Sequence, residues 1–114
     1  MVWQILKITA SVATVLTGVV SLVKPESVQG FTGLNPDGGR GITEIRAILG
    51  AFFIGLGLAA IYFNQAETYQ MLGFTYLLVG VVRGVSMFVD RSVMSSNTIS
   101  LVVELILGLV LILG

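Results

Sequence analysis

The sequence contains no cysteine and no histidine. Without these side chains the chain has no disulfide, no thiolate nucleophile, no histidine-ligated haem and none of the usual zinc or copper ligand sets. Six Lys and Arg residues balance six Asp and Glu residues, so no excess charge attracts nucleic acid. The composition therefore argues against most metal and redox enzymes and against a nucleic-acid partner, and it predicts no cofactor.

Apolar residues, by contrast, are abundant. They make up 55% of the 114 residues, and the mean hydropathy is +0.99. A soluble helical bundle is the competing interpretation, but its helices would carry a polar face, whereas residues 101–114 are apolar all round. The N-terminus lacks a basic region followed by a small-residue cleavage site, so we interpret it as a retained helix. The sequence predicts an integral membrane protein.

Four segments are long enough to cross a bilayer, which takes roughly 20 apolar residues. We predict an all-α polytopic membrane protein, a single domain over residues 1–114 folded as an antiparallel bundle of four transmembrane helices. The predicted helices cover 4–23, 42–63, 68–89 and 98–113. Good N-cap residues at 95–98 precede the fourth helix. The polar loop 24–41 contains Pro25, which is expected to open a short interfacial helix, and a tight turn at 35–38.

The basic residues predict the orientation. Lys24, Arg40, Arg46 and Arg91 lie on the side of loops 24–41 and 90–97, whereas the other side has only Lys7. The positive-inside rule then places both loops in the cytoplasm and both termini outside. Lys7 is close enough to its own membrane surface for its side chain to snorkel to water.

Small residues recur at helical spacing in every predicted span. Helices in lipid associate through such residues and through hydrogen bonds between helices. Helix one has one face that we expect to point inward, formed by Lys7, Ala10, Thr14, Thr17 and Ser21. The expected packing positions of the other helices are Ala47, Gly50, Ala51, Gly55, Gly57, Gly73, Gly80, Gly84 and Gly108. A phosphate loop at 33–41 is excluded because the Lys-Ser or Lys-Thr of that motif is missing.

Charged residues inside the predicted spans form the candidate site. Counted from the helix ends, Arg46, Arg83 and Glu104 lie about 6 to 10 Å inside the membrane, with Glu44 nearer the surface. Because charges at this depth usually face protein and find a partner, we expect Glu44, Arg46, Arg83 and Glu104 to form one polar cluster. We expect Arg46 to reach Glu104, Arg83 to complete the network, and Glu44 to bind Arg83 or Arg40 or to cap helix two.

Three interpretations of this polar cluster stay open at the level of sequence. It is a structural clamp that fixes the helix register, a functional site such as an ion relay or an anion-binding pocket, or a set of side chains that snorkel to lipid phosphates. Two arginines beside Glu104 would hold it ionised, which suits a clamp better than a proton carrier.

The run Glu44-Ile45-Arg46-Ala47 followed by Gly50, together with Arg83, Glu104, Pro25 and the segment 31–33, resembles a known family. It is similar to the small bacterial four-helix membrane proteins grouped as domain of unknown function 4345. The resemblance covers nearly the whole chain and implies the four-helix membrane fold and a bacterial inner membrane, but no activity. A likeness to small multidrug transporters is one of size only, since their essential carboxylate lies in helix one and this helix one has no acid.

Two functions from different classes are compatible with these features. The first is a non-enzymatic structural or accessory subunit, with lipids and with other membrane helices or further copies of the chain as partners. The second is a small ion-coupled or anion-binding transporter that uses the polar cluster. A lipid-modifying enzyme is disfavoured because no base for a serine nucleophile is identifiable.

Overall fold

The computed structural model describes residues 1–114, and all of its regular structure is helical. The helices are α1 (Val2–Val23), a short 3-10 turn (Pro25–Ser27), α2 (Val28–Thr32), α3 (Gly38–Glu44), a π-helical segment (Ile45–Phe52), α4 (Phe53–Phe63), α5 (Ala66–Val89) and α6 (Ser95–Leu113). The short helix opened by Pro25 lies where it was expected, with Val28 buried and Phe31 exposed.

Four helices are long and apolar enough to cross a membrane: Val2–Val23, Gly38–Phe63, Ala66–Val89 and Ser95–Leu113. This confirms the predicted four-span membrane fold. The second span begins at Gly38, before the predicted start at residue 42. The fourth begins at Ser95 with Met94 at the N-cap, so the residues expected to cap it lie in its first turn instead.

The second span is not a uniform α-helix. Between α3 and α4, residues Ile45–Phe52 form a π-helix, in which backbone hydrogen bonds skip one residue more than in an α-helix. The two buried residues of this segment, Ile45 and Gly50, are five apart, as this wider winding requires. Beyond it the buried positions Gly57 and Ala60 return to α-helical spacing.

Two compact units divide the chain: residues 11–63 form one, and residues 1–10 with 64–114 form the other. In the unit 11–63, the later part of α1 packs antiparallel to the second span through glycines. A Cβ on Gly57 would lie 2.6 Å from the Ser11 carbonyl oxygen, and one on Gly18 would lie 2.5 Å from the Gly50 carbonyl oxygen. No side chain fits at either position, so the two backbones run in direct contact.

The unit made of residues 1–10 and 64–114 is organised around the hairpin of α5 and α6. A Cβ on Gly73 would lie 2.7 Å from the Leu111 Cβ, and one on Gly80 would lie 2.9 Å from a methyl carbon of Leu105. Residues later in α5 therefore meet residues earlier in α6, which makes the pair antiparallel. Asn64 turns the chain into α5 with a φ of 49°, and Gln65 and Thr68 form a capping box.

The small residues chosen from sequence divide into two groups. Gly50, Gly57, Gly73, Gly80 and Gly108 lie at close helix contacts, and Gly84 makes an ordinary contact with Leu101. The other group, Ala47, Ala51 and Gly55, is exposed, and a Cβ on Gly55 would meet nothing within 4 Å.

The polar face predicted for α1 is buried at four of its five positions. Lys7, Ala10, Thr14 and Ser21 are buried. Thr17 is exposed and donates its hydroxyl hydrogen bond to the carbonyl of Ala13 in the preceding turn. The expectation that Lys7 snorkels to water is wrong, because this residue is only 9% exposed and packs against protein groups.

Candidate functional site

The candidate site is an ion pair between the two helices of the hairpin, Arg83 on α5 and Glu104 on α6. Arg83 donates from Nε to Glu104 Oε1 at 2.7 Å and from Nη2 to Glu104 Oε2 at 2.8 Å. This is the two-pronged arrangement in which a planar guanidinium matches a carboxylate. The Glu104 side chain is 13% exposed and the Arg83 side chain 32%.

A polar side chain that the sequence analysis did not select extends this pair. Arg83 donates from Nη1 to Asn97 Oδ1 at 2.8 Å, and the Asn97 amide in turn donates to the Ser92 carbonyl at 3.0 Å and to the Ser92 hydroxyl at 3.2 Å. The network therefore joins α5, the turn after α5 and the first turn of α6. We call Arg83, Glu104, Asn97 and Ser92 the hairpin network.

Helix packing brings the pair together. Gly80 is one turn before Arg83 on α5, and a Cβ placed there would lie 3.8 Å from the Cβ of Glu104. With hydrogen at this position the backbone of α5 comes close to α6, and the guanidinium then reaches the carboxylate. Arg83 lies six residues before the end of α5, about 9 Å along the helix, which is inside the apolar span.

The electrostatics of the hairpin network favour a fixed arrangement. The two charges cancel, both carboxylate oxygens accept hydrogen bonds, and no buried side-chain nitrogen or oxygen in the chain lacks a partner. A charge inside a span is costly when alone, and a paired, hydrogen-bonded charge avoids most of that cost. A group held in this way suits the clamping of two helices.

The other two residues of the predicted polar cluster belong to the unit 11–63. Glu44 is exposed and pairs with Arg40, one turn earlier on α3, which was one of its three expected roles. Arg46 is exposed and takes part in no ion pair. Glu104 takes Arg83 as its partner, and the expected bond from Arg46 to Glu104 stays a prediction, since these two residues belong to different units.

A single family model covers nearly the whole chain. A family model described as "Domain of unknown function (DUF4345)" matches residues 2–114. The chain belongs to the DUF4345 family. Comparison with curated proteins and with solved structures gave no match. The DUF4345 assignment confirms the resemblance seen in the sequence and adds no activity, since the family's function is unknown.

In this DUF4345 chain the run that carries the resemblance, Glu44 to Gly50, coincides with the change from α-helix to π-helix. Glu44 is the last residue of α3, Arg46 is the second residue of the π-helical segment, and Gly50 is buried inside it. The Cβ that Gly50 lacks would lie 3.1 Å from the backbone nitrogen of Leu22 on α1. The glycine of the run therefore has a packing role.

A second polar cluster lies at the start of α5 and was not expected from sequence. Tyr69, which is 1% exposed, donates its hydroxyl hydrogen to Asn64 Oδ1 at 2.8 Å, and Gln4 donates to the same oxygen at 2.9 Å. The Lys7 ammonium lies 5.0 Å from the centre of the Tyr69 ring and 3.3 Å from the Gly114 carbonyl oxygen. A cation over an aromatic face is stabilised by the ring quadrupole, so Lys7 remains inside the protein.

The sequence held a signal for Asn97 but a weaker one for Tyr69. Asn97 precedes Glu104 by seven residues, or two helical turns, and so shares its face. Ser100 lies between them, about one turn from each, so this shared face could have been recognised in the sequence. Tyr69 belongs to a stripe of small and aromatic residues, but its partner Lys7 is 62 positions earlier and no local spacing links them.

The charged groups offer no metal centre. No group of three or more His, Cys, Asp or Glu side chains comes together in the chain. The arrangement can hold two helices in register and can present polar atoms inside a membrane.

Proposed function

We propose that this chain is a non-enzymatic structural or accessory subunit that associates with a larger membrane complex. The observation that carries the proposal is the closed hairpin network. Both oxygens of Glu104 and three nitrogens of Arg83 are used inside the hairpin. A charged pair that is fully engaged with itself serves as a clamp and leaves no carboxylate poised for a reaction.

The exposed small-residue positions of the second span support the same proposal. One side of this span packs on α1 through Gly50 and Gly57, whereas Ala47, Ala51 and Gly55 are exposed, and a Cβ on Gly55 would meet nothing within 4 Å. Small residues let a foreign helix approach closely in lipid, where packing replaces the hydrophobic drive. We infer that another membrane helix contacts this side.

Mild extraction and native mass measurement test the proposal. The tagged chain is extracted in a gentle detergent, and its mass and co-purifying chains are recorded. We expect a complex larger than one chain, and we expect Gly55→Leu to deplete the co-purified chains because the open side is filled. Val82→Leu, an exposed position on α5, is the matched control and should change nothing. A single species of one chain, with no associated protein, contradicts the proposal.

The second candidate is a small ion-coupled or anion-binding transporter, and the observation in its favour is the intramembrane charge pair itself. Transport through Glu104 would require the Arg83 hydrogen bonds to break in each cycle. The test is pH-driven flux into proteoliposomes. A flux that is present in the wild type and absent in Glu104→Gln supports this candidate, and a flux that is unchanged or absent in both proteins rejects it.

We further propose that the protein resides in a bacterial cytoplasmic membrane with loops 24–41 and 90–97 in the cytoplasm and both termini outside. The support is the charge distribution, with Lys24, Arg40 and Arg91 near these loops and only Lys7 near the other ends of the spans.

A further inference from the structure

A cavity of about 370 Å³ opens at the beginning of the second span, inside the unit 11–63. Its apolar wall includes Ile45, Ile48 and Leu49 of the π-helical segment, and its polar rim includes Asp37 and Glu44. This volume falls in the range of small-molecule sites, about 300–1,000 Å³. Because the wall is apolar and the rim lies at the end of a membrane span, the cavity suits a molecule with one polar end and one hydrocarbon end.

The loop that closes the cavity is held in a defined shape. Residues 34–37 are bracketed by Gly33 and Gly38, whose φ angles of 80° and 70° favour glycine. At the far side the loop rests on the helix: a Cβ on Gly41 would lie 3.1 Å from the Cα of Pro36. The loop is therefore packed against the start of the second span and forms one wall of the cavity.

The charges at the rim select the sign of the ligand. Asp37 stands at the N-cap of α3, a position where Asp usually accepts a hydrogen bond from the helix backbone, yet its carboxylate makes no cap bond. Glu44 pairs with Arg40, and Arg40 does not line the cavity. The cavity lining contains these two carboxylates, the Asn35 amide and no basic side chain.

We propose that this cavity binds an amphiphile with an ammonium head. The positive head lies against Asp37, whose carboxylate has no ion pair, and the hydrocarbon lies along Ile45, Ile48 and Leu49. Two sources supply this chemistry: the amine of an aminophospholipid, and a free alkylammonium compound. The site is independent of the hairpin network and does not depend on the proposed subunit function.

Equilibrium dialysis tests the site with octylammonium as the probe. The full chain is placed in nanodiscs of digalactosyldiacylglycerol, an uncharged lipid without an amine, and empty nanodiscs give the amount that partitions into lipid. We expect one saturable site per chain for octylammonium and none for octanoate or octanol, which share the tail but not the positive head. Equal saturable binding of octanoate, or no saturable binding of octylammonium, overturns the proposal.

Two variants locate the site and one serves as control. Asp37→Asn should weaken octylammonium binding about fivefold, because it removes one partly solvated charge contact. Ile48→Trp should abolish binding by filling the cavity. Glu26→Gln removes an exposed carboxylate outside the cavity and should leave the affinity unchanged. Circular dichroism verifies that each variant is folded, and undiminished binding in Asp37→Asn and Ile48→Trp contradicts the assignment.

A change of lipid distinguishes the two sources. When phosphatidylethanolamine replaces part of the galactolipid, loss of octylammonium binding shows that the aminophospholipid occupies the same cavity. Retained binding assigns the cavity to free alkylammonium compounds.

Discussion

Replacing Glu104 by Gln removes the negative charge of the hairpin network while keeping the size of the side chain. One of the two hydrogen bonds from Arg83 is then lost, because an amide NH2 donates where the carboxylate oxygen accepted. Hydrogen bonds to charged groups contribute about 1.5–3 kcal/mol. Since the Arg83 side chain is 32% exposed, the lower part of that range applies. We expect the free energy of unfolding to fall by about 2 kcal/mol, which raises the equilibrium constant for unfolding roughly 30-fold.

Replacement of the other member of the pair, Arg83→Met, should lower the free energy of unfolding by more than Glu104→Gln does. It leaves the Glu104 carboxylate, only 13% exposed, without its counter-ion inside the span. Removing one member of a buried pair costs about 3–5 kcal/mol, and we expect about 3 kcal/mol here. The double variant Arg83→Met/Glu104→Met buries no unpaired charge, so its loss of stability should fall short of the sum of the single variants by at least about 1 kcal/mol.

Unfolding in mixed micelles measures these differences. The protein in dodecyl maltoside is titrated with sodium dodecyl sulfate, and its helix content is followed by circular dichroism. Glu67→Gln removes an exposed carboxylate at the start of α5 and is the matched control. A Glu104→Gln midpoint equal to that of the wild type, or a double variant whose loss equals the sum of the single losses, would refute the role of the ion pair.

Three further predictions follow from other features. Gly73→Leu should destabilise the α5–α6 hairpin by about 1–3 kcal/mol, because its Cβ would collide with α6, whereas Gly55→Leu faces open space and should leave monomer stability unchanged in the same titration. Tyr69→Phe should cost about 1 kcal/mol through the lost hydroxyl bond at the start of α5, and a midpoint equal to the wild type would count against that bond. Because the chain has no cysteine, Glu26→Cys should resist a membrane-impermeant maleimide on intact cells while Glu67→Cys reacts, and the opposite labelling would reverse the proposed orientation.

The four spans could be predicted from the sequence because hydropathy over about 20 residues is a property of composition and needs no tertiary information. Sequence reasoning also selected both Arg83 and Glu104, since helix depth can be counted in residues. The predicted first residues of the helices were less accurate than the predicted spans. Nothing local distinguishes Ser95 as a first helical residue from Ser95 as a cap, and the backbone bond from the Thr98 amide to the Met94 carbonyl shows that this turn is part of the helix.

The predicted direction of the Arg46 side chain rests on an assumption about the helix that carries it. Its expected direction was derived from the 3.6 residues per turn of an α-helix. Arg46 lies inside the π-helical segment, where that angle does not apply. A hydrophobic pattern read from one helix does not reveal such winding.

The π-helical segment also bears on how the second span tolerates changes in chain length. Deleting one residue from an α-helix rotates everything beyond the deletion by about 100°, which would turn a buried face outward. Within Ile45–Phe52 each hydrogen bond already spans one residue more than α-helical bonding needs. A one-residue deletion in this stretch would restore α-helical bonding there and keep Gly57 directed at α1. Length variation among family members should therefore concentrate in these eight residues.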